Sequence, residues 1–121
     1  PSGNYLESEQ LSKLFDWAKR KGICLIYDES FSDFACETDR SMLKEEILEQ
    51  YPQVYIIKSL SKSYGIPGLR LGILATADEE MISYLKKDVA IWNINSFAEF
   101  FLQILEKYKK EYEYANNADL F

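Results

Sequence analysis

The stretch Val54-Tyr-Ile-Ile-Lys-Ser-Leu-Ser-Lys-Ser-Tyr-Gly-Ile-Pro-Gly-Leu-Arg-Leu-Gly-Ile-Leu-Ala75 decides how this chain folds. It opens on an apolar run, Val54 to Ile57, and closes on a second, Leu71 to Ala75. Short apolar runs bounded by turn residues read as strands. The polar segment between them is then a loop that follows a strand, the place where open α/β sheets put their ligands. Lys62 lies in that loop between Ser61 and Ser63. A lysine amine, whose reference pKa is roughly 10.4, becomes useful once it is linked covalently to an aldehyde. After a substrate amine displaces it, it is free to move protons. Ser59 and Ser61 can donate hydrogen bonds to phosphate oxygens, and Arg70 can add a bidentate, permanently charged contact. Gly65, Gly68 and Gly72, with Pro67, let the backbone turn and carry Arg70 back toward Lys62. These glycines fit neither the dinucleotide fingerprint nor the P-loop.

A second signal lies some thirty residues earlier, in Ile23-Cys-Leu-Ile-Tyr-Asp28. Its apolar run is continuous, as in a strand covered on both faces of a parallel sheet. Asp28 ends it, and a carboxylate there is costly unless paired. A protonated pyridine nitrogen is a suitable partner, and keeping it protonated makes the ring an electron sink. Lys62 and Asp28 together point to pyridoxal 5'-phosphate. Two plainer readings stay open: Lys62 on an ordinary surface turn, and Asp28 as a loop cap beside Ser30 and Ser32.

Around these segments the pattern is helix alternating with strand, which indicates α/β architecture with right-handed crossovers. A first helix is predicted from an N-cap at Ser8, with Leu11, Leu14, Phe15 and Ala18 on one face. It should close at Gly22 behind Lys19, Arg20 and Lys21. Residues 29 to 41 read as a loop, followed by a short helix bearing Leu43, Ile47 and Tyr51 and stopped at Pro52. Thr76 with Glu79, and Ser96 with Glu99, read as capping boxes. The first opens a helix carrying Met81, Ile82, Leu85 and Val89. The second opens one with Phe97, Phe100, Phe101, Ile104, Leu105, Tyr108 and Tyr112 on one stripe, a packing surface for this domain or a partner.

Composition narrows the functional classes. The chain has 121 residues, enough for one domain with a sizeable core, and 47% of them are hydrophobic, so it should fold. A formal net charge of −6 argues against broad nucleic-acid binding. The absence of histidine removes the commonest general base and metal ligand, and no metal is expected. Cys24 and Cys36 lack metal or redox spacing, and Cys24 is expected to be a buried thiol. No leader-like segment and no apolar run near ~18 residues occurs, so the expectation is a soluble, cytoplasmic protein without a membrane partner.

At the lysine segment, Ser59 to Gly72, the chain resembles the aminotransferase class I/II family, the fold-type-I pyridoxal-phosphate enzymes. Within it the likeness is greatest to the histidinol-phosphate aminotransferase and threonine-phosphate decarboxylase branch. That includes aminotransferase-like domains joined to sugar- or choline-phosphate nucleotidyltransferases. The resemblance implies a three-layer α/β fragment of the large domain, with a mostly parallel sheet and one antiparallel strand. Strands 23–28 and 54–59 would run parallel, and 71–76 antiparallel. It implies that Lys62 forms the internal aldimine, that Asp28 pairs with the pyridine nitrogen, and that Ser59, Ser61 and Arg70 hold the phosphate. Pro1-Ser2-Gly3 is similar to the tail of a family motif whose asparagine contacts the ring oxygen. Trp92-Asn93-Ile94-Asn95 is similar to a segment near the active-site mouth.

Phe31 departs from the family, which commonly has a tyrosine there bonding the ring oxygen; Phe31 can only pack against the cofactor. The decarboxylase branch tolerates phenylalanine. The upstream half and the C-terminal small domain, with its carboxylate-gripping arginine, are not in residues 1–121, which would form a partial large domain. The implied parent is an aminotransferase acting on a small-molecule amino acid or amino-phosphate. It would be a homodimer, with a fused nucleotidyltransferase as one implied partner, while the isolated piece is expected to be inactive. A pyridoxal-phosphate decarboxylase and a non-catalytic interaction module are the alternatives.

Overall fold

The computed structural model describes residues 5–34, 41–91 and 93–108, and these divide into two units, Pro1–Val89 and Ala90–Phe121. Pro1-Ser2-Gly3, Cys36, Trp92 and Tyr112 lie outside the described residues.

Helix α1 (Ser8–Lys21) starts one residue earlier than its sequence suggests, with Glu7 as the N-cap and Ser8 inside the helix. Gln10 explains the shift: its Oε1 accepts the Glu7 backbone N–H at 3.0 Å, the return half of a capping box. At the other end Gly22 adopts φ 64° and donates its N–H to Lys19 O, the left-handed closure that glycine adopts most readily. Leu11, Phe15 and Ala18 are buried, as their spacing predicts.

Strand β1 (Leu25–Asp28) pairs in parallel with β2 (Val54–Ser59), from Leu25 opposite Val54 to Asp28 opposite Ile57. Helix α2 (Glu45–Gln50) lies between them in sequence. Strand β3 (Gly72–Ala75) runs antiparallel to β2, from Ile56 opposite Ala75 to Ser59 opposite Gly72. The α/β sheet, with two parallel strands and an antiparallel third, is the one expected. Leu11, Phe15, Met42, Tyr51, Val54 and Ile56 form its core, with Leu25, Tyr27, Ile47 and Leu48 packed on them. The Phe15 ring meets Tyr27 and Tyr51 edge-on at 5.9 and 5.5 Å.

The opposite face of β1 is not covered among the described residues. Its burial alternates, Ile26 is 67% exposed, and Cys24 is exposed rather than a buried thiol. The continuous apolar run misled here: β1 has a single strand neighbour, and Cys24 precedes its first paired residue.

After β3, helix α4 (Glu79–Asp88) is capped by Asp78, whose Oδ1 accepts the Met81 N–H at 2.9 Å. Thr76 is not the cap; its hydroxyl accepts the Asp78 N–H and donates to Pro52 O. Tyr55 donates its hydroxyl proton to Asp78 Oδ2, and that bond, with burial, pushes the phenol up to about 12. No residue of α4 is buried.

In the second unit, α5 (Ser96–Lys107) takes Asn95, not Ser96, as its N-cap, with Oδ1 accepting the Ala98 N–H at 2.9 Å. Phe97, Phe100 and Tyr108 are exposed, Phe101 and Leu105 are half-buried and Ala98 is buried, so the stripe is partly covered among the described residues.

Candidate functional site

Because β1 and β2 are parallel, Asp28 and Ser59 finish at the same end of the sheet. Their carboxyl ends are where an open α/β sheet leaves a ligand crevice. Ser59 passes directly into α3 (Leu60–Ser63), a single helical turn that carries Lys62. The irregular loop expected around Lys62 is thus replaced by a turn closed through Tyr64 N–H to Leu60 O. Helical backbone fixes the direction of the lysine stem more tightly than a loop does.

The Lys62 amine rests over the Phe31 ring, 3.9 Å from its centroid. Such a cation–π contact contributes about 0.5–1 kcal/mol at an exposed position, and Phe31 is 62% exposed. Phe31 is therefore a platform for the lysine.

Ser30 links Asp28 to Ser59, the residue that leads into the turn carrying Lys62. The Ser30 N–H donates to Asp28 Oδ1 at 2.9 Å, an Asx-type turn. Its Oγ accepts the Ser59 N–H at 2.9 Å. The Ser30 side-chain and backbone hydrogen bonds hold the Asp28 carboxyl below its ordinary range, against partial burial, with a further contribution from the Lys62 charge. Asp28 is exposed rather than sealed in a strand end, and its cap role and its proximity to the lysine coexist.

Beside this pair opens a cleft of about 320 Å³ whose walls include Ser30, Ser59, Ser61, Arg70 and Gly72. Arg70 has φ 55°, a left-handed backbone that costs an L-residue roughly 1–2 kcal/mol. Gly65, at φ 64°, makes the turn before it. Gly72 permits a close approach, since a Cβ there would lie 3.3 Å from Lys58 O.

Ser61, in the cleft wall, also has a structural task. It is buried, its Oγ accepts the Leu71 N–H at 3.2 Å, and it faces Leu71 O at 3.4 Å. Leu71 sits one residue outside the β2–β3 pairing, where a buried N–H without a partner would be costly. The hydroxyl serves that need first.

Sequence reading overlooked three residues at this end, Glu29, Asp33 and Lys58, and named Ser30 only beside a capping Asp28. Glu29 is 1% exposed; its Oε2 accepts the Met42 N–H at 3.0 Å and its Oε1 the Ser32 hydroxyl at 3.2 Å. Lys58 Nζ stands 3.8 Å from Glu29 Oε1 and 2.6 Å from Asp33 Oδ1. Partial burial pushes the Asp33 carboxyl up, but hydrogen bonds from Lys58, Ser63 and Ser32, with the Lys58 charge, together outweigh it and hold it below the usual range. The available signal was Lys58 itself, a charge interrupting an otherwise apolar strand.

Comparison with known proteins returns the family "Aminotransferase class I and II", whose model matches residues 1–119. The chain is 40% identical over 121 residues to an L-serine phosphate decarboxylase of Sulfurospirillum multivorans, covering 95% of this chain and 30% of that one. It is 41% identical over 90 residues to a CMP-5'-(3-aminopropyl)phosphonate synthase of Streptomyces rubellomurinus, covering 74% of this chain and 14% of that one. Among solved structures, the histidinol-phosphate aminotransferase of Clostridium acetobutylicum superposes with a TM-score of 0.70 at 29% identity, over 82% of this chain and 29% of that one. The chain spans less than a third of the length of each.

Proposed function

The chain belongs to the aminotransferase class I and II family, a family of pyridoxal-phosphate enzymes, and from that membership we propose that residues 5–75 form part of a cofactor-binding large domain whose parent transfers the amino group of an amino acid or amino-phosphate. The observation that carries the reading is the convergence, at one end of the sheet, of the Lys62 amine, the ionised Asp28 carboxyl and the Arg70-lined cleft.

These residues fit the cofactor. The cleft offers the permanent charge of Arg70 and the Ser59 hydroxyl, with Lys58 also in its wall, a set suited to a phosphate dianion. Asp28, kept below its ordinary pKa by Ser30, presents a stable negative charge to a protonated ring nitrogen. When bound, pyridoxal phosphate supplies an aldehyde for the lysine and an electron sink for the substrate. Lys62 provides the amine that takes and returns a proton at the substrate carbon. Phe31 supports the lysine stem and offers no hydroxyl to the ring oxygen.

Decarboxylation is the second reading, favoured by the 40% identity to the serine phosphate decarboxylase and by phenylalanine at position 31. The two share every residue named above and differ in which substrate bond stands perpendicular to the ring.

Incubation with pyridoxal phosphate, borohydride reduction and peptide mapping test the reading. Label on the peptide containing Lys62 is expected; label confined to other lysines overturns it. Carbon dioxide release by the parent protein would select decarboxylation over transfer.

A further inference from the structure

Lys58 lies in the cleft wall but has no named role toward the cofactor, although it is better buried than Lys62, with its side chain only 11% exposed. It faces two carboxylates. Glu29, with a fully buried side chain, is 3.8 Å away, beyond hydrogen-bond reach, and Asp33 is 2.6 Å away. The Glu29 carboxylate meets the Met42 N–H and the Ser32 hydroxyl, both neutral donors, and the hydroxyl shares its proton with the Glu29 backbone carbonyl. Lys58 is therefore the only cation that the structure pairs with Glu29 and Asp33 among the described residues.

The location gives this pairing its meaning. Glu29 follows Asp28 and precedes Ser30, and Phe31 lies midway between Glu29 and Asp33. On the other side, Lys58 precedes Ser59 near the end of β2, four residues before Lys62 on α3. Two carboxylates thus flank the residue on which the Lys62 amine rests. A flexible ammonium near unneutralised carboxylates would be drawn to them, because an opposite charge at about 4–6 Å favours the charged, non-nucleophilic amine. The 3.9 Å contact with Phe31 shows Lys62 elsewhere, on an uncharged platform.

We infer that Lys58 is a positioning residue that neutralises Glu29 and Asp33, so that Lys62 is not captured as their counterion and its amine stays on Phe31, available for reaction. This rests on the proposed role of Lys62 but names a different residue and a different task. The site therefore needs two lysines, one at the end of β2 to satisfy the buried acid and one on α3 left free.

The test reads Lys62 directly, in the 121-residue chain. The ε-protons of Lys62 should show an upfield ring-current displacement from Phe31 by NMR. Reductive methylation with formaldehyde should modify Lys62 readily. In Lys58→Met the displacement should vanish and the methylation rate at Lys62 should fall roughly tenfold. Lys58→Arg should retain both signals. The neutral triple variant Glu29→Gln, Asp33→Asn, Lys58→Met should restore both, because the two carboxylates that Lys58 neutralises are gone while Asp28, whose charge Lys62 already feels in the native chain, is unchanged. A folded Lys58→Met chain with unchanged displacement and rate overturns the inference. So does a folded triple variant that stays impaired, and this second outcome decides the matter even if the single variant does not fold. Neither readout involves pyridoxal phosphate. Failure of that cofactor to label Lys62, with the ring-current signal intact, would sink the proposed function and leave the Lys58 role standing.

Discussion

The two ends of β2 are built by different means. In its first half the side chains of Val54 and Ile56 are buried against Leu11 and Phe15, and their packing there is apolar. Its second half, Lys58 and Ser59, is held by an ion pair to Glu29 and Asp33 and by a backbone bond to Ser30. Apolar packing is non-directional and tolerates small shifts. Charged and hydroxyl partners fix a distance and an orientation. The strand is thus anchored at one end and aimed at the other, and the aimed end carries Lys62.

Substitutions should separate these tasks. The largest effect is expected from Phe15→Ala, which empties a fully buried site between Tyr27 and Tyr51. A loss of about 3–5 kcal/mol is expected in urea unfolding, with the Lys62–Phe31 contact unaltered in the molecules that remain folded. Glu29→Ala comes next. It leaves the Met42 N–H without its acceptor and should cost about 1–3 kcal/mol while also disturbing the aimed end. If Glu29→Ala proves as silent as an ordinary surface change, the distinction between the two ends collapses.

Arg70→Gly should move stability the other way. Relief of the left-handed backbone is expected to raise the melting temperature, by about 1 kcal/mol or less in stability, while inorganic phosphate ceases to bind the cleft. The smallest effect concerns Asp28. Its folded pKa is depressed, so it favours the folded state above its ordinary value of 3.8, and that contribution is lost as the pH falls through the folded value. Carboxyl NMR titration should show a larger upward move in Ser30→Ala than in Lys62→Met, because the Ser30 bonds outweigh the lysine charge.

The anchored half was legible in the sequence because burial leaves a periodic trace: Leu11, Phe15 and Ala18 recur at helical spacing, and Val54 to Ile57 is an unbroken apolar run. The parallel direction of β1 and β2 was legible in the alternation of helix and strand, and the antiparallel β3 only through family likeness. The aimed half was partly legible. Lys62, Asp28 and Arg70 stand out by residue type, but a glutamate that becomes buried looks in sequence like any surface acid. The caps were misplaced by one or two residues at Glu7, Asp78 and Asn95, since Ser8, Thr76 and Ser96 have equal claim by composition and only backbone geometry decides. Cys24 and Ile26 were read as buried because an apolar run does not say how many layers cover it.

The pairing of Ser59 with Gly72 has a consequence for engineering. Everything from Leu60 to Leu71 hangs between two directly opposed residues of an ordinary antiparallel ladder, whose Cα atoms stand about 5 Å apart. It is a cassette with standard connectors, and the Leu60–Leu71 and Ser61–Leu71 bonds travel inside it. Spliced into another hairpin, it would deliver Arg70 and Lys62 intact but leave Asp28 and Phe31 behind, so the two halves of this crevice are separable modules.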